Sequence, residues 1–255
     1  EIRLSLVGSE MCIRDSRGIG ESRPASLKGL KASWSDWGAL DFEAMLQRAR
    51  REFPGQPIDV VGHSFGGCAL GLAASAGVIR RAATMGAQFA YWRDYVPAQR
   101  WRMLGKWHVL MPLLTRLYGY FPGKRLGWME DTPAGVVRDW ATPHPRYEGR
   151  PSGRRLAAER SGQPFAQVSA PILAISVSDD PFGTVAAIER LLGYFDNSTR
   201  THWRIRPEDI GELEIGHFAF FHSRFESRLW PLLLHWLQHA SPAPNSPGQE
   251  LTPGR

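Results

Sequence analysis

The stretch VVGHSFGGCALGLAASAG, residues 60–77, constrains this chain more than any other. An apolar, strand-like pair runs into a serine set between glycines, and small residues then recur at helical density. A strand that hands over to a helix within two residues must pass through a sharp turn. A serine at the apex takes a strained backbone, and Gly62 and Gly66 remove side chains that would collide with the turn. Gly67 lets the helix lie close to the sheet. The Oγ of Ser64 then stands at a helix N-terminus, where developing negative charge is favoured. Taken alone, the stretch fits an ordinary tight turn with a capping serine equally well.

Around this turn the chain alternates as a parallel sheet with helices on its faces does. Over residues 36–53, Phe42, Met45, Leu46, Ala49 and Phe53 share one helical face, and Pro54 and Pro57 end the helix. Residues 58–64, IDVVGHS, read as a buried strand, 66–76 as a helix and 81–87 as a short strand. Between 91 and 165 the texture changes: tryptophans, tyrosines and prolines crowd together and periodicity breaks, which predicts an inserted cap. Alternation resumes with a strand at 171–177, a helix at 184–195 and a strand bearing Trp203 and Ile205. A last helix is predicted over 224–238. Residues 17–90 and 166–240 thus form the core and 91–165 the cap. The Pro, Gly, Ser and Asn content of 241–255 predicts a disordered tail.

Composition narrows the function. With 255 residues, 43% of them apolar, the chain can bury a full core. Its net charge of +6 comes from dispersed arginines, with no basic stripe interleaved with aromatics, so nucleic acid is not an expected partner. No apolar run is long enough to span a bilayer. Two cysteines, Cys12 and Cys68, make no disulfide scaffold, and Cys68 reads as packing; a soluble protein of the reducing cytoplasm is expected. No His/Cys/Asp cluster has metal-ligand spacing, and RGIGES at residues 17–22 lacks a phosphate-cradling glycine pattern, so neither metal nor cofactor is expected.

The N-terminus is anomalous. Residues 5–16, SLVGSEMCIRDS, resemble a translated cloning or sequencing adapter. Residues 1–16 are therefore expected to be non-native, with the authentic chain starting near Arg17. The alternative is a genuine first strand, in which Ile2, Leu4 and Leu6 alternate with polar residues.

A serine hydroxyl is a poor nucleophile until an oriented base takes its proton. The chain should therefore supply an acid and then a histidine. Asp179 and Asp180 lie just beyond the strand that starts at Pro171, and His217 follows Gly216 after the strand around Trp203. His63 neighbours the serine, but its side chain is expected to point away. His108 and His144 fall in the cap, His235 and His239 on the last helix, and these four read as structural or solvated.

RGIGESRPASL, GHSFGG, SDDPFGT and IGHFAFF together resemble the α/β-hydrolase superfamily, over nearly everything from Arg17 to Leu237. Within it they resemble a bacterial group of hydrolases carrying RGxGxS, DWG, GHSxGG and GHxGFF-like blocks. The resemblance implies an α/β-hydrolase fold with an inserted cap. It makes Ser64 the nucleophile, Asp180 the acid and His217 the base, with Asp179 the alternative acid. Phe218 and Ala219 depart from the more usual pair after the histidine without disturbing this chemistry. The implied reaction is cleavage of a small-molecule ester or thioester through an acyl-enzyme, with acyl transfer or non-catalytic binding as other uses of the fold. The backbone N–H of Phe65 is one expected oxyanion donor. The second is expected from a loop upstream of Arg17, together with the first strands. A chain without them is expected to be an impaired fragment, since one lost donor costs about 10²–10³ in rate.

Overall fold

The computed structural model describes residues 15–159 and 164–251, so most of the adapter-like segment, residues 1–14, lies outside the described residues. Ser33 caps α1 (Trp34–Asp36) by accepting the Asp36 N–H, and the helix runs through a π-type segment (Trp37–Phe42) into α2 (Glu43–Glu52). β1 (Ile58–His63) turns at Ser64 into α3 (Phe65–Leu72), and β2 (Ile79–Met85) follows. The inserted region brings α4 (Pro97–Leu104), a second π-type segment (Gly105–Leu110) and α5 (Met111–Tyr118). A small ribbon of β3 (Tyr120–Phe121) and β4 (Thr132–Pro133) then leads to α6 (Ala134–Ala141) and α7 (Pro151–Glu159). After it come β5 (Ile172–Val177), α8 (Val185–Leu192), β6 (Arg200–Ile205), α9 (Glu226–His239) and β7 (Gln249–Leu251).

The main sheet has the order β1-β2-β5-β6-β7, parallel except for β7. Side chains alternate across each strand, so its two faces bury different residues. Ala82, Ile172 and Ala174 join Trp34, Leu70 and Ile188 in one core layer, whereas Ala83, Leu173 and Ile175 join Leu229, Leu233 and Trp236 of α9 in the other. The Trp236 indole N–H donates to the Ala82 carbonyl at 2.8 Å, locking α9 to the sheet.

The cap has its own small core of Tyr95, Met103, Trp107, Met111, Phe121 and Val137. Its periodicity looked broken in sequence because Met103, Trp107, Met111 and Thr115 are buried at a spacing of four. The π-type segment stretches the repeat beyond 3.6, so an α-helical template misses it. The insertion is fastened to the core at both ends. At its start, Arg190 of α8 forks onto Asp94. Near its end the fully buried Arg150 donates to the carbonyls of Asp139, His144 and Phe89 and lies 4.6 Å over the Trp34 ring. Burial pushes the Arg150 guanidinium down to about 10, which leaves it charged at neutral pH.

Two expectations need correction. The tail is not wholly disordered: β7 pairs antiparallel with β6, and the Trp203 indole donates to the Pro247 carbonyl at 2.7 Å. An unpaired strand edge is satisfied by chain that composition alone would class as loop. The helix face over 36–53 is also less buried than its pattern suggests. Leu46 is enclosed, but Phe42, Met45, Ala49 and Phe53 are half-buried beside β1, whose outer edge has no strand partner among the described residues.

Gly71 of α3 is a packing requirement, because a Cβ there would overlap the buried Phe165 ring. Gly71→Ala is expected to cost about 1–3 kcal/mol through overpacking, read as a lower urea midpoint with an unchanged slope.

Candidate active site

The parallel strands end at one rim of the sheet, and the side chains singled out in sequence meet there. Ser64, directly after β1, has φ +51° and ψ −118°, a backbone that costs about 1–3 kcal/mol and persists only where its surroundings enforce it. One enforcing contact is its own N–H, which donates to the Met85 carbonyl at 2.9 Å. Gly62 is sterically required: a Cβ there would lie 2.7 Å from the Gly66 carbonyl carbon and the Gly67 nitrogen. Gly67 is required too, since a Cβ would overlap Ala87 and lie 3.0 Å from Thr84. Gly66 is not: outside its own helix, nothing stands within 4 Å of where its Cβ would be, so the clash expected on that flank is absent.

His217, in the loop after β6, bridges Ser64 and Asp180. Its Nε2 is 3.0 Å from Ser64 Oγ, and its Nδ1 is 2.7 Å from Asp180 Oδ2. Asp180, just after β5, is 2% exposed and its other oxygen accepts the Phe182 N–H at 2.8 Å, so both oxygens are engaged. Asp179 has a different task. Its Oδ2 accepts the N–H groups of Ile215 and Gly216, at 2.8 and 3.0 Å, and so ties down the loop that carries His217. The Phe65 N–H sits at the first position of α3, with the Phe65 ring braced 5.4 Å from Trp34 and 5.2 Å from Trp37.

His63 does not point away from the site, contrary to expectation. Its Nε2 lies 2.8 Å from the His217 carbonyl, and the two imidazoles are 5.0 Å apart. A ring nitrogen facing a carbonyl oxygen must carry a proton, so His63 Nε2–H is the donor. Burial first, and the neighbouring His217 second, push His63 down to about 4, so the ring is neutral at pH 7. The other histidines bond elsewhere: His108 faces the Ala141 carbonyl, His144 the Arg146 carbonyl, His235 that of Ser241 and His239 that of His235. Cys68 is packing, with its thiol buried and pushed up to about 12.

Two glycines at the site escaped the sequence reading. Gly86, just after β2, has φ +60°, and a Cβ there would lie 3.0 Å from His217 Nδ1 and 3.1 Å from Asp180 Oδ2. Gly183 would press a Cβ onto Asp180 in the same way. The available signal was a glycine one residue past a strand end, in TMGA at residues 84–87. Beside the serine opens a cavity of about 1520 Å³ whose walls include Trp107, Trp140, Phe182 and Phe218. It continues along the outer edge of β1 past Met45 and Phe53. Among the described residues, no group of three or more His, Cys, Asp or Glu side chains is placed to hold a metal. No helix among them is long and apolar enough to cross a membrane.

The family described as alpha/beta hydrolase fold matches residues 7–209, and the chain belongs to that family. Among curated proteins nothing matches it. Solved structures similar to it include a monoacylglycerol lipase of Paleococcus ferrophilus, at 12% identity over 79% of this chain and 75% of that one, with a TM-score of 0.46. Alpha/beta hydrolase domain-containing protein 10 from mouse is 13% identical over 89% and 77%, TM-score 0.46. The esterase RhEst1 from Rhodococcus sp. ECU1013 is 18% identical over 89% and 79%, TM-score 0.42. Likenesses this distant carry no argument about substrate. What the family match shows is the alpha/beta hydrolase fold.

The depressed His63 gives a stability signature. Between its ordinary value of 6.5 and about 4, the unfolded chain takes a proton that the folded ring refuses, so stability falls as pH drops through that window. His63→Gln keeps a donor toward the His217 carbonyl and removes the titration. Urea unfolding at a series of pH values should show a shallower acid limb for the variant, by up to about 3 kcal/mol across the window.

Proposed function

We propose that the protein is a serine hydrolase that cleaves a small-molecule ester or thioester through an acyl-enzyme. One observation carries the reading: a single imidazole joined at Nδ1 to a buried carboxylate and at Nε2 to the hydroxyl of a serine on a strained strand-to-helix turn. Ser64 Oγ attacks the carbonyl carbon while His217 Nε2 takes its proton. Asp180 holds the ring in the Nδ1–H tautomer and stabilises the imidazolium. The tetrahedral oxyanion is met by the Phe65 N–H and by the positive end of α3. His217 then returns the proton to the leaving oxygen or sulfur. Water, deprotonated by the same imidazole, releases the acid. Asp179 takes no proton in this scheme; it positions the His217 loop.

The aromatic walls of the cavity suit an apolar acyl or alcohol group. A second oxyanion donor, expected from chain upstream of Arg17, falls mainly outside the described residues.

Fluorophosphonate labelling and p-nitrophenyl ester turnover test the assignment. Ser64→Ala should abolish both. Asp180→Asn, which supplies an amide where the imidazole N–H needs an acceptor, should lower kcat by about 10⁴. Asp179→Asn keeps an oxygen for the two backbone N–H groups and should lose far less. Labelling that persists in Ser64→Ala, or equal losses at Asp179 and Asp180, would overturn these roles.

A further inference from the structure

The cap carries a surface that the hydrolytic site does not use. From Pro97 to Tyr118 the chain is one near-continuous helix, α4, the π-type segment and α5, about 33 Å long at 1.5 Å per residue. Its inner ridge, at Met103, Trp107, Met111 and Thr115, is buried. Two residues on from Trp107, Met111 and Thr115, and two before Met103, lie the positions of the opposite ridge, and these are apolar and exposed, with half-buried Gly105 between Trp101 and Val109. Trp101 is 73% exposed, Val109 60%, Leu113 53% and Leu117 71%, with Leu110 beside them at 40%. Monomeric proteins rarely leave such a continuous aliphatic ridge in water without a use for it.

Charge identifies what the ridge fits. Residues 97–127 hold Arg100, Arg102, Lys106, Arg116, Lys124 and Arg125, and no aspartate or glutamate. Of these, Arg102, Arg116, Lys124 and Arg125 are exposed. Lys124 is paired with Glu130 at 2.9 Å, which leaves Arg102, Arg116 and Arg125 as the exposed cations beside the ridge with no acid partner among the described residues. An apolar ridge flanked by such cations complements an anionic interface, with the apolar groups entering the acyl boundary and the cations meeting headgroups. A second copy of this face would set arginines against arginines with no acid to answer them. A partner that wraps a whole helix is excluded because the inner ridge is already packed into the cap. What remains is a flat surface touching one side only.

We propose that the outer ridge of α4 and α5 docks this protein on the surface of an anionic lipid bilayer. The inner side of the same helix supplies Lys106 and Trp107 to the wall of the cavity that holds Ser64, so docking sets the cavity beside the lipid surface. The docking is independent of the chemistry proposed for Ser64, and Ser64→Ala should bind vesicles as the unaltered chain does.

Flotation of the full chain with vesicles tests it. Phosphatidylcholine containing about 30 mol% phosphatidylglycerol should carry the protein at least about tenfold better than phosphatidylcholine alone, and added salt should erase the difference. Leu113→Glu with Leu117→Glu, and separately Arg116→Gln with Arg125→Gln, should each lower binding by about tenfold or more, with far-UV circular dichroism unchanged. In the unaltered chain, brominated lipid should quench fluorescence that Trp101→Phe removes. Failure to float with either vesicle, or equal flotation with both, would overturn the proposal. So would a dimer in sedimentation equilibrium that the Leu113→Glu, Leu117→Glu chain loses. Labelling of Ser64 without vesicle binding would defeat the docking and leave the hydrolase reading standing; vesicle binding without labelling would do the reverse.

Discussion

The site depends on keeping one imidazole ring in register between two groups borne by different strands. Ser64 comes off β1 and Asp180 off β5, with β2 between them, while His217 reaches in from the loop after β6. A parallel sheet makes this possible because its strands finish at the same rim, so turns distant in sequence open side by side. The spacing is then held from several directions. The Ser64 N–H is tied to Met85 of the neighbouring strand, Asp180 is braced by the Phe182 N–H, and the His217 loop is held by Asp179 on one side and His63 on the other. Gly86 leaves room beneath the ring and carboxylate where any side chain would intrude.

Adjacent positions divide this labour. Asp179 and Asp180 are consecutive, yet one engages backbone N–H groups and the other an imidazole, because successive side chains beyond the strand end turn in different directions. His63 and Ser64 divide the work similarly: His63 secures the main chain of His217, whose ring faces the serine. Neutrality suits His63 to that place, since in the proposed mechanism a second cation there would repel the imidazolium formed on His217.

What could be read in the sequence was what local chemistry decides. The glycine at 62 announces a tight turn, because its crowding involves the backbone of residues 66 and 67, only a few positions on. Ser64, Asp180 and His217 could be singled out as candidates because each follows a recognisable strand. Contacts made at long range were not. The role of His63 depends on a carbonyl 154 residues away. The pairing of 249–251 with β6 depends on an exposed strand edge that no local composition reveals. Sequence favours Asp180 over Asp179 by its placement after the strand but does not show what Asp179 contacts, which depends on backbone 36 residues further on. The cap helices hid behind a repeat of four, which neither a helical nor a strand template describes.

Arg150 and the Asp94–Arg190 pair bolt the cap to the core at both of its roots. A lysine could not replace Arg150, since one ammonium lacks the forked donors that reach carbonyls in three separate segments. A beam anchored at each end does not swing like a door; it bows. The cap spans the cavity mouth between two fixed roots, so the freedom left to it is flexure of that span: a sprung arch in place of a hinged lid.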